Sequence, residues 1–199
     1  MKKLLSVVFA VMLVAGAVVL GGCSNGTGGE ETTTAAAGET TTEAVTEATT
    51  EEAAKDVPEV AGETQSWGKI SSVLVPEGLT FAKGAYGDDT DENAVTISDD
   101  AQPLYHYYLI NVMTPEEIQD SINASREMNE DYGIEDVAEF KEGNNTFSGI
   151  TYGEEGTFKV YILSMAAGDK SASVTISVPQ GTDITSDEVR AVLASIELA

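Results

Sequence analysis

With 199 residues, 34 acidic against 10 basic side chains, one histidine and one cysteine, the chain carries a formal charge of −24. A field of that sign repels phosphate backbones and anionic headgroups, which speaks against nucleic acid as a partner and against electrostatic docking on a membrane. A single cysteine excludes an intramolecular disulfide, while cations and basic proteins stay open as partners, beside the plainer role of acidity in keeping an exported chain soluble.

The N-terminus opens with Met1-Lys2-Lys3 and continues through an uncharged run from Leu4 to Leu20 into Leu20-Gly21-Gly22-Cys23. A positive start, an apolar stretch and small residues at the cut describe a secretory signal, so residues 1–22 read as a signal peptide. The Leu-Gly-Gly-Cys end resembles the lipobox of bacterial lipoproteins, whose cysteine receives a thioether-linked diacylglycerol. Small side chains admit the peptidase, and only a thiol is a soft enough nucleophile for the lipid transfer. The resemblance implies lipidation at Cys23, palmitate-type acyl chains, and a protein on the extracytoplasmic face of the cell membrane. An uncleaved transmembrane helix fits less well, because the run reaches only about 25 Å and no basic residue follows it to oppose Lys2 and Lys3.

Residues 23–65 read as the lipidated cysteine followed by a tether. Thr, Glu, Ala and Gly dominate, no aromatic residue occurs, and ten acids face the one base Lys55. Such a composition cannot bury enough apolar surface to offset the entropy of ordering, so disorder is expected. A coil of that length spans about 35–40 Å, and like charges extend it further. Residues 66–199 remain for one globular domain, itself acidic, with seven basic residues against 24 acids.

Within that domain, Trp67–Pro76 is strand-like and ends at Pro76-Glu77-Gly78, after which LTFAKGAYG is expected to return as the second strand of a hairpin. An acidic loop, Asp88–Asn93, leads into strands over Ala94–Ser98 and Leu104–Met113. Thr114-Pro115-Glu116-Glu117 sets an N-cap, a first-position proline and a capping-box glutamate in order, and Ile118, Ile122, Met128 and Tyr132 are expected on the buried side of the helix that follows. Strands over Thr146–Tyr152, Phe158–Met165 and Ser171–Val178 come next, with short Gly-containing links that favour antiparallel pairing. In the last of them Val174, Ile176 and Val178 alternate with Ser173, Thr175 and Ser177, the pattern of a sheet with one wet face. Thr185-Ser186-Asp187-Glu188 is expected to cap a closing helix with the stripe Val189, Val192, Leu193 and Ile196. The predicted class is α+β, an antiparallel sheet with packed helices.

The order strand, VPEGLTF, hairpin, central helix, three strands and a closing helix reading VLASIEL resembles the Mog1/PsbP-like α/β/α sandwich over roughly Trp67–Ala199. That resemblance implies a non-enzymatic interaction module and transfers no site residues.

Candidate chemistry is sparse. His106 is expected on a strand face with Tyr108, Ile110 and Val112, where a lone histidine is usually a packing residue. With no second histidine and no free thiol, His-dependent nucleophilic triads and zinc sites lack parts. The sharpest local pattern is a speculative calcium loop. Asp89, Asp91 and Asn93 follow the D-x-D-x-N spacing and Asp100 falls at the twelfth place, although Ala94 stands where that loop needs glycine. A solvated acidic loop is the plainer reading. Tyr105 and Tyr107, opposite His106, are expected either under a helix or in an exposed aromatic patch. The functional expectation is a lipid-anchored accessory or protein-interaction module with no cofactor and no enzymatic role. The alternative is an extracytoplasmic cation- or small-ligand-binding lipoprotein, and a carboxylate-based surface hydrolase stands third.

Overall fold

The computed structural model describes residues 56–154, 157–179 and 181–199. The expected signal peptide, Cys23 and the tether as far as residue 55 lie outside the described residues.

Among the described residues, ten strands and two helices make an α+β fold. In chain order these are β1 (Gly62–Trp67), β2 (Ile70–Pro76), β3 (Thr80–Lys83), β4 (Ala94–Ser98), β5 (Tyr107–Val112), α1 (Pro115–Met128), β6 (Glu135–Glu142), β7 (Asn145–Glu154), β8 (Phe158–Ala167), β9 (Lys170–Pro179), α2 (Asp187–Ser195) and β10 (Glu197–Leu198). Seven strands pair antiparallel in the order β3-β4-β5-β9-β8-β7-β6, and a separate three-stranded sheet has the order β1-β2-β10. Strand β1 lies largely within the stretch expected to be tether, and Trp67 ends that strand instead of opening the next. Its pairing with β2 supplies the tertiary partner that local composition does not reveal.

The hairpin expected at Pro76-Glu77-Gly78 is corrected. Strand β2 pairs with β1 and β10, whereas β3 pairs with β4, so the turn carries the chain from one sheet to the other. Two faces of the large sheet result. Because neighbouring residues on a strand point opposite ways, Leu163 joins a core shared with β2 (Ile70, Val73, Val75) and α2 (Val189, Val192, Leu193). Ile162 instead joins Ile150, Tyr152 and Val160 beneath Ile118 and Ile122 of α1. The two helices therefore cover opposite faces.

Helix α1 begins as the capping box requires: the Glu117 amide donates to Thr114 Oγ1 at 3.3 Å and the Thr114 amide to Glu117 Oε2 at 2.9 Å. Its buried stripe runs Ile118, Ile122, Ser125 and then Asn129, not Met128, which is 43% exposed. Ten residues on from Ile118 a side chain has turned about 80° away, whereas seven or eleven residues return within about 20°. Tyr132 lies beyond the helix in a 3₁₀ turn, Glu130–Tyr132. Helix α2 also departs from expectation at its start, where the Ser186 hydroxyl makes no capping bond and is buried without a partner. Its end is satisfied from β7 instead, since Asn145 Nδ2 donates to the carbonyls of Leu193 (3.2 Å) and Ile196 (2.8 Å).

Strand β6 has no counterpart in the sequence reading. A register irregularity between Val137 and Phe140 spaces its half-buried apolar residues by three, which hides the period of two. As an edge strand rich in Glu and Asp it resists pairing with a second chain.

Candidate functional site

Five aromatic side chains from five different elements meet the α1 side of the large sheet. Registration across the sheet sets Ser98, Tyr107, Ser177, Val160 and Tyr152 in one row, and the next row is Thr96, Leu109, Thr175, Ile162 and Ile150. Helix α1 covers the β7–β8 end of these rows, while Leu109 and Thr175 stay half-buried. Tyr107 is buried, and burial first, then the neighbouring phenols of Tyr86 and Tyr152, pushes its hydroxyl far above the usual phenol range. Tyr152 is raised to about 12, mainly by burial and further by Tyr86 and Tyr132. Tyr132 in turn meets Phe158 with ring centroids 6.0 Å apart and planes tilted by 55°. Tyr107 and Tyr152 thus share a row on this face, with Ser177 and Val160 between them, Tyr86 stands at the Tyr107 end, and Tyr132 and Phe158 stand at the Tyr152 end.

Tyr86 is held at the Tyr107 end by an unusual backbone. It sits in a 3₁₀ turn, Ala85–Gly87, at φ 54°, left-handed for a bulky residue, and is 53% exposed. Its amide donates to Thr96 Oγ1 (2.8 Å), and that hydroxyl donates to the Gly84 carbonyl (3.1 Å). Gly84 is required there, because a Cβ would lie 1.7 Å from the Asp88 carbonyl oxygen. Leu104 is 55% exposed, and its carbonyl accepts from the buried Ser177 hydroxyl at 3.2 Å, next to Tyr107. Ser173 and Ser177 are buried, so the wet face expected for β9 is dry at both serines and only Thr175 keeps partial exposure.

Beside this face, Tyr132, Tyr152 and Phe158 line a cavity of about 290 Å³ together with Glu135, Glu154 and Lys159. A larger hollow of about 680 Å³ lies between Val57–Ala61, Leu74 and the Ala191–Ser195 side of α2. Arg190 on that helix donates through Nε to Glu142 Oε1 (2.8 Å) and through Nη2 to the Asp56 carbonyl (3.1 Å), which ties the incoming chain to the domain.

His106 is not simply packed. It precedes β5, and its Nε2 lies 2.8 Å from Glu188 Oε1, the same oxygen that accepts from the Tyr108 hydroxyl at 2.7 Å. The Glu188 hydrogen bond holds the imidazole above its ordinary value of 6.5 against the opposing effect of burial, and the same bond holds Glu188 below 4.5. The cluster latches the start of α2 to β5. Glu188 was not legible as its partner, because 82 residues separate the two.

The expected calcium ligands do not converge. Asp91 Oδ1 accepts from the Asn93 amide (2.9 Å) and from Asn93 Nδ2 (3.2 Å), while Asp100 Oδ2 accepts from Thr80 Oγ1 (3.0 Å). No group of three or more His, Cys, Asp or Glu among the described residues, Asp89 included, is placed to hold a metal ion. Asp91 and Asn93 instead build one Asx turn, beside which the Asp91 carbonyl accepts from Trp67 Nε1 (2.9 Å) and the Glu92 carbonyl from the Lys69 amide (2.8 Å). Tyr105 lies in the preceding loop, half-buried, and Tyr107 is covered.

No protein-family model matches the chain and no curated protein is similar to it. Among solved structures, a crystal structure of a protein from Bacteroides thetaiotaomicron VPI-5482 is similar at 16% identity and a TM-score of 0.45, over 69% of this chain and 48% of that one. The chain therefore spans about half of that protein's length.

Proposed function

We propose that the chain is a lipid-anchored, extracytoplasmic accessory module that recognises a protein partner through its tyrosine face. One observation carries the reading: Tyr86 and Leu104, both more than half exposed, are held at the Tyr107 end of this face, Tyr86 by Thr96 of β4 and Leu104 by Ser177 of β9. Tyrosine at such a position offers apolar area at low entropic cost together with a hydroxyl for orientation, and the leucine adds apolar area beside it. The tyrosine is held in strained left-handed backbone, and strain of that kind is retained where a side chain has to be presented. The signal-like start and the lipobox ending at Cys23 supply the address, and a lipid anchor frees the protein surface from holding the membrane. For the fold, one helix on each face of an antiparallel sheet supports the finer reading of a Mog1/PsbP-like α/β/α sandwich.

Two experiments test this. Feeding cells an alkyne-bearing palmitate analogue is expected to label the chain and not its Cys23→Ala variant; equal labelling of both removes the anchor. Crosslinked capture from intact cells is expected to enrich a partner with the native chain and to lose it with the Tyr86→Ser, Leu104→Ser double variant. Unchanged capture by that variant would discard the tyrosine face as the binding surface.

A second reading, an extracytoplasmic receptor for a small ligand, has its own support in the aromatic cavity beside Tyr132 and Phe158. No cation is assigned to the Asp89–Asp100 loop, and no arrangement among the described residues favours the hydrolase.

A further inference from the structure

Resting on that second reading, we propose that the cavity lined by Tyr132, Tyr152 and Phe158 binds a small organic ammonium ion, methylated or quaternary. The three rings come from three elements, the Glu130–Tyr132 turn, β7 and β8, and Tyr132 and Phe158 meet at a tilt that makes a corner, not a stack. A corner of ring faces surrounds a bulky cation on several sides, and each face attracts it through the negative lobe of the ring quadrupole.

Charge and size narrow the ligand. Glu135 and Glu154 line the same cavity, whereas the one basic residue there, Lys159, already has its ammonium 5.2 Å over the centroid of the Tyr161 ring. The site is left net negative in a chain whose total charge of −24 concentrates cations near its surface. A bare metal ion is a poor fit, since the cavity brings two carboxylates and no cluster of three or more His, Cys, Asp or Glu is placed to hold one among the described residues. A methylated ammonium is weakly hydrated, needs few hydrogen bonds, and suits a volume of about 290 Å³ at the small end of ligand sites. The chain uses the same contact internally a second time, with Lys83 Nζ 4.5 Å over the Trp67 ring.

The test is calorimetric titration of the full-length chain with choline chloride, with sodium chloride and the uncharged tert-butyl isostere of choline as controls. Choline is expected to bind, its isostere at least fivefold more weakly, and sodium chloride not at all. Phe158→Leu and Glu154→Gln, both with unchanged circular dichroism, are each expected to weaken choline about fivefold. Equal binding of choline and its isostere overturns the ammonium assignment while sparing a small-ligand site. Absence of choline binding up to about 10 mM, or affinity unchanged in both variants, overturns the site itself. Partner capture through Tyr86 and Leu104 is scored independently and is untouched by either result.

Discussion

The two faces of the seven-stranded sheet are built from the same strands and covered to different extents. On the α2 side nineteen residues are buried in one cluster that joins both sheets and the helix. On the α1 side only six form the buried cluster, and the rest of the face is tyrosine, serine and threonine with exposed rims. Apolar residues on both sides of a strand demand cover on both sides. Here the helix stops part-way along the second side, where Tyr107, Thr96 and Ser177 are buried without it and only Leu109, Thr175 and the rims keep exposure.

Adjacent residues of β8 fall on the two faces. Leu163→Ala is expected to cost about 3–5 kcal/mol in urea denaturation and Ile162→Ala about 2, since the first leaves a cavity in the large core and the second sits beneath one helix. Equal costs would mean that both faces carry stability alike. Next comes the Arg190–Glu142 pair, with side chains 16% and 7% exposed, on the α2 side. Glu142→Ala strands a mostly buried guanidinium and is expected to lose about 2–3 kcal/mol, whereas Arg126→Ala, removing an exposed pair with Asp136 on the α1 side, is expected to lose under about 1. Thr114→Ala removes the α1 cap and should cost about 1 kcal/mol, read from the same denaturation curves.

Smaller effects sharpen the contrast. His106 has a raised folded value, so its pair with Glu188 stabilises fully below its ordinary 6.5 and loses that contribution as pH rises through the folded value. Glu188, lowered, contributes above 4.5 and loses its share as pH falls through its own folded value. Stability from the latch is therefore greatest between those two values, and His106→Gln should flatten the decline of melting temperature on the alkaline side. A decline of the same slope in the variant would assign it to other groups. Last, Tyr86→Gly relieves left-handed strain while losing ring contacts, so stability should stay within about 1 kcal/mol while partner capture falls. A large loss of stability would move Tyr86 from the recognising face to the supporting one.

Local signals were legible wherever a single element satisfies itself. The capping box at Thr114, the alternation of β9 and the stripe of α2 are written in neighbouring residues, and each element stands where its pattern put it. Patterns that depend on another part of the chain were not legible. β1 looks like tether until β2 pairs with it, β6 is masked by its bulge, and β3 belongs to a different sheet from the strand it follows. The site behaves in the same way. Tyr105, Tyr107 and His106 stand out in sequence, but Tyr86, Tyr132, Tyr152 and Glu188 acquire meaning only from what faces them.

By itself, then, the sequence determined the α+β class, the capped start of α1, the apolar stripe of α2 and an acidic surface, because charge, capping and periodicity act over a few residues. Tertiary structure alone decided that Asp91 serves a turn while Asp100 accepts from Thr80, that His106 meets Glu188, and that aromatic residues from five elements lie on one face. Those outcomes are contacts across tens of residues, set by sheet register and by which face each helix covers.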